Sequence, residues 1–322
     1  RPNEGKELEE LIGDPWVLEN TKVENHFARD DSAHIEVGTT KKGNRILLDR
    51  RFVSADVRIV TGLVEPHFMA GYSGGRKVIA PGVAHAETIT TFHSARYMED
   101  PLATNCNLDG NPLHEDQLEI VEMVGGALSM NVVIDEFRNL SFINFGEIIS
   151  SHLEAVAFIR KYAEVKVPRR FKTVLTSCAG HPLDLTYYQT VKGMVGPLDI
   201  LDKGGDLIVV SNCGEGMGSE EFVAAQKRLV KMGASGFLNA ILQKQYADID
   251  EWQTEMQLKP MKVGSIYLYS EGLSDKDWLA TGVNKVDNLQ KCIEQSFVRH
   301  KQNKIAVIPE GPYVIPFFSN DG

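Results

Sequence analysis

The feature that most narrows the possible folds is the regular alternation of strand-length apolar runs with helical patterns through the second half of the chain. The residue pattern predicts a strand at 173–177, a helix at 185–195, a strand at 206–211 and a helix at 220–230. A strand at 265–269, a helix at 284–296 and a strand at 304–308 follow. Strands that alternate with helices require crossover connections, so this half is expected to form a parallel, doubly wound sheet. Upstream the pattern is mixed. A helix at 4–11 ends at Gly13-Asp14-Pro15, a hairpin spans 34–37 and 44–48, and a buried strand runs from Ala55 to Val64. Helices at 86–97, 113–124 and 151–162 and strands at 132–135 and 141–145 complete it. Lys166-Val167-Pro168-Arg169-Arg170 has the composition of a linker. At 322 residues the chain is about twice the usual domain length of about 150. The expectation is therefore an α/β protein of two domains, 1–165 and 171–308, with 309–322 free to rejoin the first and the active site in the cleft between them.

Charge and cysteine usage exclude several functions. Lys and Arg total 34 against 44 Asp and Glu, a formal charge of −10, the wrong sign for binding nucleic acid electrostatically. Apolar runs such as Leu207 to Ser211 are far shorter than the roughly 20 residues of a membrane span. Cys106, Cys178, Cys213 and Cys292 show no metal-site or disulfide spacing. With no signal-peptide pattern, the expected compartment is the cytoplasm, although the sequence begins at Arg1.

The densest chemistry lies at Gly62-Leu-Val-Glu-Pro-His67-Phe-Met-Ala-Gly71-Tyr-Ser-Gly74-Gly75-Arg76-Lys77. Glycines allow backbone amides to approach a ligand, and Arg76 and Lys77 supply charge for a phosphate or carboxylate. The loop is no Walker A motif, since Arg76 precedes Lys77 and no Ser or Thr follows. On these residues alone, an exposed basic turn is an equal reading.

The string from Thr61 to Gly82, with His93 beyond it, resembles the lactate racemase family, whose members use a nickel-pincer nucleotide. The resemblance implies that Lys77 carries a thioamide link to that cofactor (pyridinium-3-thioamide-5-thiocarboxylic acid mononucleotide), beside Ser73, Gly74, Gly75 and Arg76. It further implies that His67 is an acid/base and that His93, on a helix, binds nickel. Imidazole suits nickel, and a square-planar site completed by cofactor sulfur and carbon needs one protein ligand. Gly180-His-Pro-Leu-Asp-Leu-Thr-Tyr-Tyr188-Gln189-Thr-Val-Lys192 is similar to a second family motif, in which the Tyr-Gln pair and the lysine face cofactor and substrate. On a helix Tyr188, Gln189 and Lys192 share one side. Trp252 falls at a family position near the cofactor, and His181 departs from the family pattern and receives no role.

A third segment, the strand 206–211 running into Asn212-Cys213-Gly214-Glu-Gly216-Met-Gly218-Ser219 and a helix, has the form of an anion site lining the cleft. Its GxGxG spacing is a poor dinucleotide fingerprint.

The family uses one histidine on each face of the substrate carbon, the second immediately before an Arg-Pro pair. Here the chain opens with Arg1-Pro2, so that histidine, with an upstream Asp and Arg, is expected before Arg1. His26 lacks a glycine loop nearby and is a poor substitute. The resemblance implies racemisation or epimerisation of a small 2-hydroxy acid by hydride transfer to and from the cofactor, which other, biosynthetic enzymes must supply. A non-catalytic cofactor-binding homologue and an NAD-dependent dehydrogenase are the competing readings.

Overall fold

The computed structural model describes residues 2–320, so Arg1 of the opening Arg1-Pro2 pair lies outside the described residues. The second half forms the expected parallel sheet of five strands, in the order Asn284–Lys285, Ser265–Tyr269, Leu201–Val210, Phe171–Ser177, Ile305–Ile308. Leu207, Ile208 and Val209 in the middle are fully buried, because helices cover both faces and leave no side of the strand for water. Val174, Leu207 and Val209 pack with Val191, Met194 and Met256, while Ile208 packs with Val286 and Cys292 on the other face.

Four strands are laid down in one direction from Phe171–Ser177, and the last, Ile305–Ile308, returns to its opposite side. The order therefore reverses beside Phe171–Ser177. Beyond the carboxyl ends there lie Cys178 to His181 and Pro309 to Tyr313, which is where open α/β sheets bind ligands.

Three helical expectations shift. The predicted helix at 284–296 is a short strand, Asn284–Lys285, followed by a helix Leu289–His300 that starts where the Asn288 side chain accepts from the Lys291 N–H. The helix at 220–230 runs on to Leu242 with a break at Gly233. The helix Glu251–Val263 was not foreseen, because its polar sequence shows no apolar stripe. It is almost wholly buried all the same, held in part by Gln257, which bonds the Tyr187 hydroxyl (2.9 Å) and the Thr281 carbonyl (2.7 Å).

The first half holds a three-stranded sheet, Ile59–Leu63, Leu128–Ile134 and Leu140–Glu147, its first pair parallel and its second antiparallel. The strand expected to be buried from Ala55 to Val64 is shorter and takes an edge of this sheet, with Ile59 53% exposed. The segment read as a linker is partly strand. Glu164–Val167 pairs in parallel with Ile315–Phe318, so the two passages of chain between the halves are hydrogen-bonded to each other. Among the described residues no helix is long and apolar enough to cross a membrane.

Gly264 follows the buried helix, and a Cβ there would stand 2.1 Å from the Gly205 carbonyl oxygen. Gly264→Ala is expected to cost about 1–3 kcal/mol, read as a lower denaturation midpoint with an unchanged slope.

Candidate functional site

The glycine loop is more ordered than its composition suggests. Pro66–His67 pairs with Gly71–Tyr72 in a minimal hairpin, and a turn of helix, Arg76–Ile79, follows. Close packing explains the glycines. A Cβ on Gly71 would lie 2.3 Å from the Asn107 carbonyl oxygen, and one on Gly75, at φ +49°, would lie 2.6 Å from the His152 ring. Gly74 is pressed against Leu63 and Val64. Ser73 ties the loop to its strand, its N–H donating to the Glu65 carbonyl (2.9 Å) and its hydroxyl to the Leu63 carbonyl (2.8 Å).

Arg76 requires a correction. Its guanidinium, expected to meet a phosphate or carboxylate, is 2% exposed and turned into the protein, donating to the carbonyls of Ala70 (2.9 Å) and Tyr72 (3.4 Å). Burial with no facing carboxylate pulls its pKa down to about 9. Arg76, Gly74 and Gly75 thus support the loop that carries Lys77.

Lys77, half-buried in the next position, has its ammonium form disfavoured by burial and then by Arg76 and Lys192, giving a pKa of about 7. Near pH 7 about half of it is the nucleophilic free amine. The His67 Nδ1 accepts from the N–H groups of Ala70 (3.2 Å) and Met69 (3.4 Å), which places the ring proton on Nε2. Burial, Lys77 and Lys192 hold this histidine neutral, well below its ordinary pKa.

His93 is not inside a helix. The predicted helix 86–97 breaks there into Ala86–Phe92 and Ala95–Met98, with His93 as the cap between them. Its Nδ1–H donates to the Ile89 carbonyl (2.7 Å), so the Nε2 lone pair is free, and burial lowers the pKa to about 4. A backbone-anchored neutral imidazole is what a metal ion requires. Its ring lies 4.4 Å from that of Trp252, whose Nε1–H donates to the Tyr188 hydroxyl (3.1 Å). The buried Gln189 Oε1 has no hydrogen-bond partner.

The structure therefore brings His93, Trp252 and Tyr188 into one line of contact. It places His67 and Lys192 around a small cavity of about 50 Å³ whose other walls include Glu65, Phe68 and Tyr313. That cavity adjoins a cleft of about 890 Å³ between the two halves, to which Glu65, Pro66, Tyr313, His181 and Arg138 contribute. Lys77 and Lys192 face the carboxylate of Glu65, and Lys192 is the lysine that lines the small cavity, where it can meet a small anion. Sequence reasoning missed Glu65, Phe68 and Tyr313; the acidic residue two places before His67, at the end of an apolar strand, was the available signal.

The GxGxG turn is not an anion site. Gly216 and Met217 accept from the Tyr187 (2.9 Å) and Tyr188 (3.1 Å) N–H groups, which sets the start of the helix Tyr187–Val195. The next helix, Glu220–Leu242, has its N-terminus capped by Ser219 and flanked by Glu220, Glu221 and Asp250. Acidic side chains at that end repel an anion, which counts against dinucleotide binding. Among the described residues no group of three or more His, Cys, Asp or Glu could hold a metal, so a metal here depends on His93 and on donors brought by a cofactor. A free imidazole nitrogen, a lysine of lowered pKa and an unpartnered amide oxygen fit such a group.

An α/β fold with its chemistry at the carboxyl edge of a parallel sheet, facing a second domain across a cleft, is that of a small-molecule enzyme. Family descriptions of the lactate racemase N-terminal and C-terminal domains match residues 1–105 and 168–316. The chain is 29% identical over 315 residues to the lactate racemase of Thermoanaerobacterium thermosaccharolyticum, covering 96% of this chain and 72% of that one. It is 28% identical over 319 residues to that of Lactiplantibacillus plantarum, covering 98% and 74%. The lactate racemase apoprotein structure from the former organism superimposes with a TM-score of 0.90 at 27% identity, covering 97% of this chain and 74% of that one. A Thermotoga maritima protein shares the fold, with a TM-score of 0.75 at 16% identity over 99% and 83% of the chains. The chain belongs to the lactate racemase family, and its enzyme class is isomerase.

The depressed pKa of Lys77 has a thermodynamic consequence. An amine at about 7 when folded and 10.5 when unfolded penalises folding fully below pH 7, and the penalty fades as pH rises towards 10.5. Lys77→Met should therefore melt above the parent at pH 7, with the gap narrowing by pH 9 in paired thermal scans. A gap that is absent or constant with pH refutes a buried, near-neutral amine.

Proposed function

We propose that the chain interconverts the enantiomers of a 2-hydroxy acid, lactate or a close analogue, with a nickel-pincer nucleotide held by Lys77 and its nickel by His93. The observation that carries the reading is the convergence of a lysine of lowered pKa, a backbone-anchored histidine with a free Nε2, and a small cavity lined by a second histidine and by Lys192. The relatives named lactate racemases support the substrate class.

When bound, the cofactor supplies a hydride acceptor. The chain's own residues do the rest. Lys192, which lines the small cavity, takes the substrate carboxylate, and Gln189, three residues before it on the same helix, donates to it through its amide nitrogen. Tyr188 and Trp252 wall the site behind His93. His67 moves the hydroxyl proton at Nε2. Its resting tautomer carries a proton on Nε2, so taking the hydroxyl proton there requires the ring proton to move to Nδ1, away from the Ala70 and Met69 N–H contacts; the imidazolium so formed returns a proton to the oxygen of the 2-keto acid in the opposite direction. Biosynthetic enzymes must provide the cofactor, and the reaction is assigned to the cytoplasm.

The test is a chiral assay of lactate, malate and aryl 2-hydroxy acids with the full-length gene product made alongside the cofactor-making enzymes. At least one enantiomer pair should racemise, and none doing so in nickel-loaded protein overturns the reading. His93→Ala should lose nickel with the fold intact. His67→Ala should keep nickel yet lose about 10²- to 10⁴-fold in both directions, the effect of a missing acid/base. Full activity in His67→Ala would remove its proton-transfer role.

A further inference from the structure

Glu65 is the one acidic side chain lining the small cavity that also holds His67 and Lys192. It sits where the edge strand Ile59–Leu63 ends, and its backbone is fixed on both sides: its N–H donates to the Ser73 hydroxyl (3.0 Å) and its carbonyl accepts from the Ser73 N–H (2.9 Å). Among the described residues, no hydrogen bond or ion pair engages its carboxylate, nor the ammonium groups of Lys77 and Lys192. The groups that face it come from every surrounding element. Lys192 reaches from the helix Tyr187–Val195, Lys77 from the turn Arg76–Ile79, His67 from the hairpin, and Tyr313 from beyond the last strand of the parallel sheet. Arg138 and Glu310 line the wider cleft on its far side.

A lysine buried in such a cavity loses its proton unless a carboxylate opposes it. A neutral amine there cannot grip a carboxylate substrate. Lys192 is pushed down by burial, and the one charged group that holds it up is Glu65. We propose that Glu65 is a positioning residue for the reaction: it acts through space on Lys192, with which it shares the small cavity, and keeps that lysine charged to receive the substrate carboxylate. The inference rests on the reading that Lys192 receives the substrate. Neither Glu65 nor its effect on Lys192 requires the cofactor.

The experiment uses the cofactor-free chain. Limiting acetic anhydride is applied over a pH series from about 6 to 11, and the acetylated Lys192 and Lys77 peptides are quantified by mass spectrometry, which gives each amine's titration midpoint. In Glu65→Gln the Lys192 midpoint should fall by about one unit or more, a tenfold change in ionisation. Glu65→Asp should recover part of that shift. The reciprocal variant, Lys192→Met, should raise the Glu65 midpoint, followed by carboxyl ¹³C resonances, by the same amount as linkage requires. A Lys192 midpoint that stays put in folded Glu65→Gln overturns the proposal. So does an unmoved Glu65 midpoint in Lys192→Met, which keeps the test open if Glu65→Gln fails to fold. A separate outcome bears on the parent reading alone: undiminished racemisation by cofactor-loaded Lys192→Met would remove Lys192 from substrate binding whatever the titrations show.

Discussion

Water exclusion between the two domains is the condition on which the rest of this site depends. Lys77, Lys192, Arg76, His67 and His93 all have their charged forms disfavoured first by burial, and Lys77, His67 and His93 further by neighbouring cations. In open solvent the same five residues would be three ordinary cations and two ordinary imidazoles. Enclosed, they supply a nucleophilic amine and two neutral imidazoles. The chemistry comes from where the side chains are placed as much as from which side chains they are.

That enclosure is a product of topology. The parallel sheet reverses its strand order beside Phe171–Ser177, so the chain leaving Ile305–Ile308 delivers Pro312 and Tyr313 to the same crevice as Leu183 and Lys192. The opposite wall comes from the short hairpin after Leu63. Hydrogen-bonding Glu164–Val167 to Ile315–Phe318 fastens the two crossings between domains together, fixing the walls relative to each other. A polar helix, Glu251–Val263, is driven inside because Trp252 must reach His93 while Gln253 and Gln257 hold Tyr188 and Tyr187. Gln257 finds partners for its amide there, while Gln253 Oε1, Thr254 Oγ1 and Glu255 Oε1 are buried without a hydrogen bond.

Charge separates the two glycine-rich turns, which look alike as sequence. The turn before Lys77 packs its glycines against Asn107, Leu63 and His152 and leaves cations at its end. The turn at 214–218 leads into Glu220, Glu221 and Asp250, and its carbonyls accept from Tyr187 and Tyr188. Glycine frequency alone cannot distinguish a ligand loop from a structural brace, since both need backbone conformations or close approaches that a Cβ forbids.

The strand and helix alternation from 173 onward determined the parallel sheet, because period and crossover length leave little freedom once the apolar runs are placed. Lys77, His67, Tyr188 and Lys192 were singled out by their resemblance to family motifs, since local spacing alone left an exposed basic turn an equal reading. Three things were decided only by the folded chain. Arg76 turned inward, because the nearest acceptors were the carbonyls of Ala70 and Tyr72. His93 became a helix cap with a free Nε2, because the helix breaks beside Ser94. Glu65 met Lys192 from 127 positions away. Each is a matter of direction and long-range encounter, and a linear sequence records neither where a side chain points nor which distant charge will share its cavity.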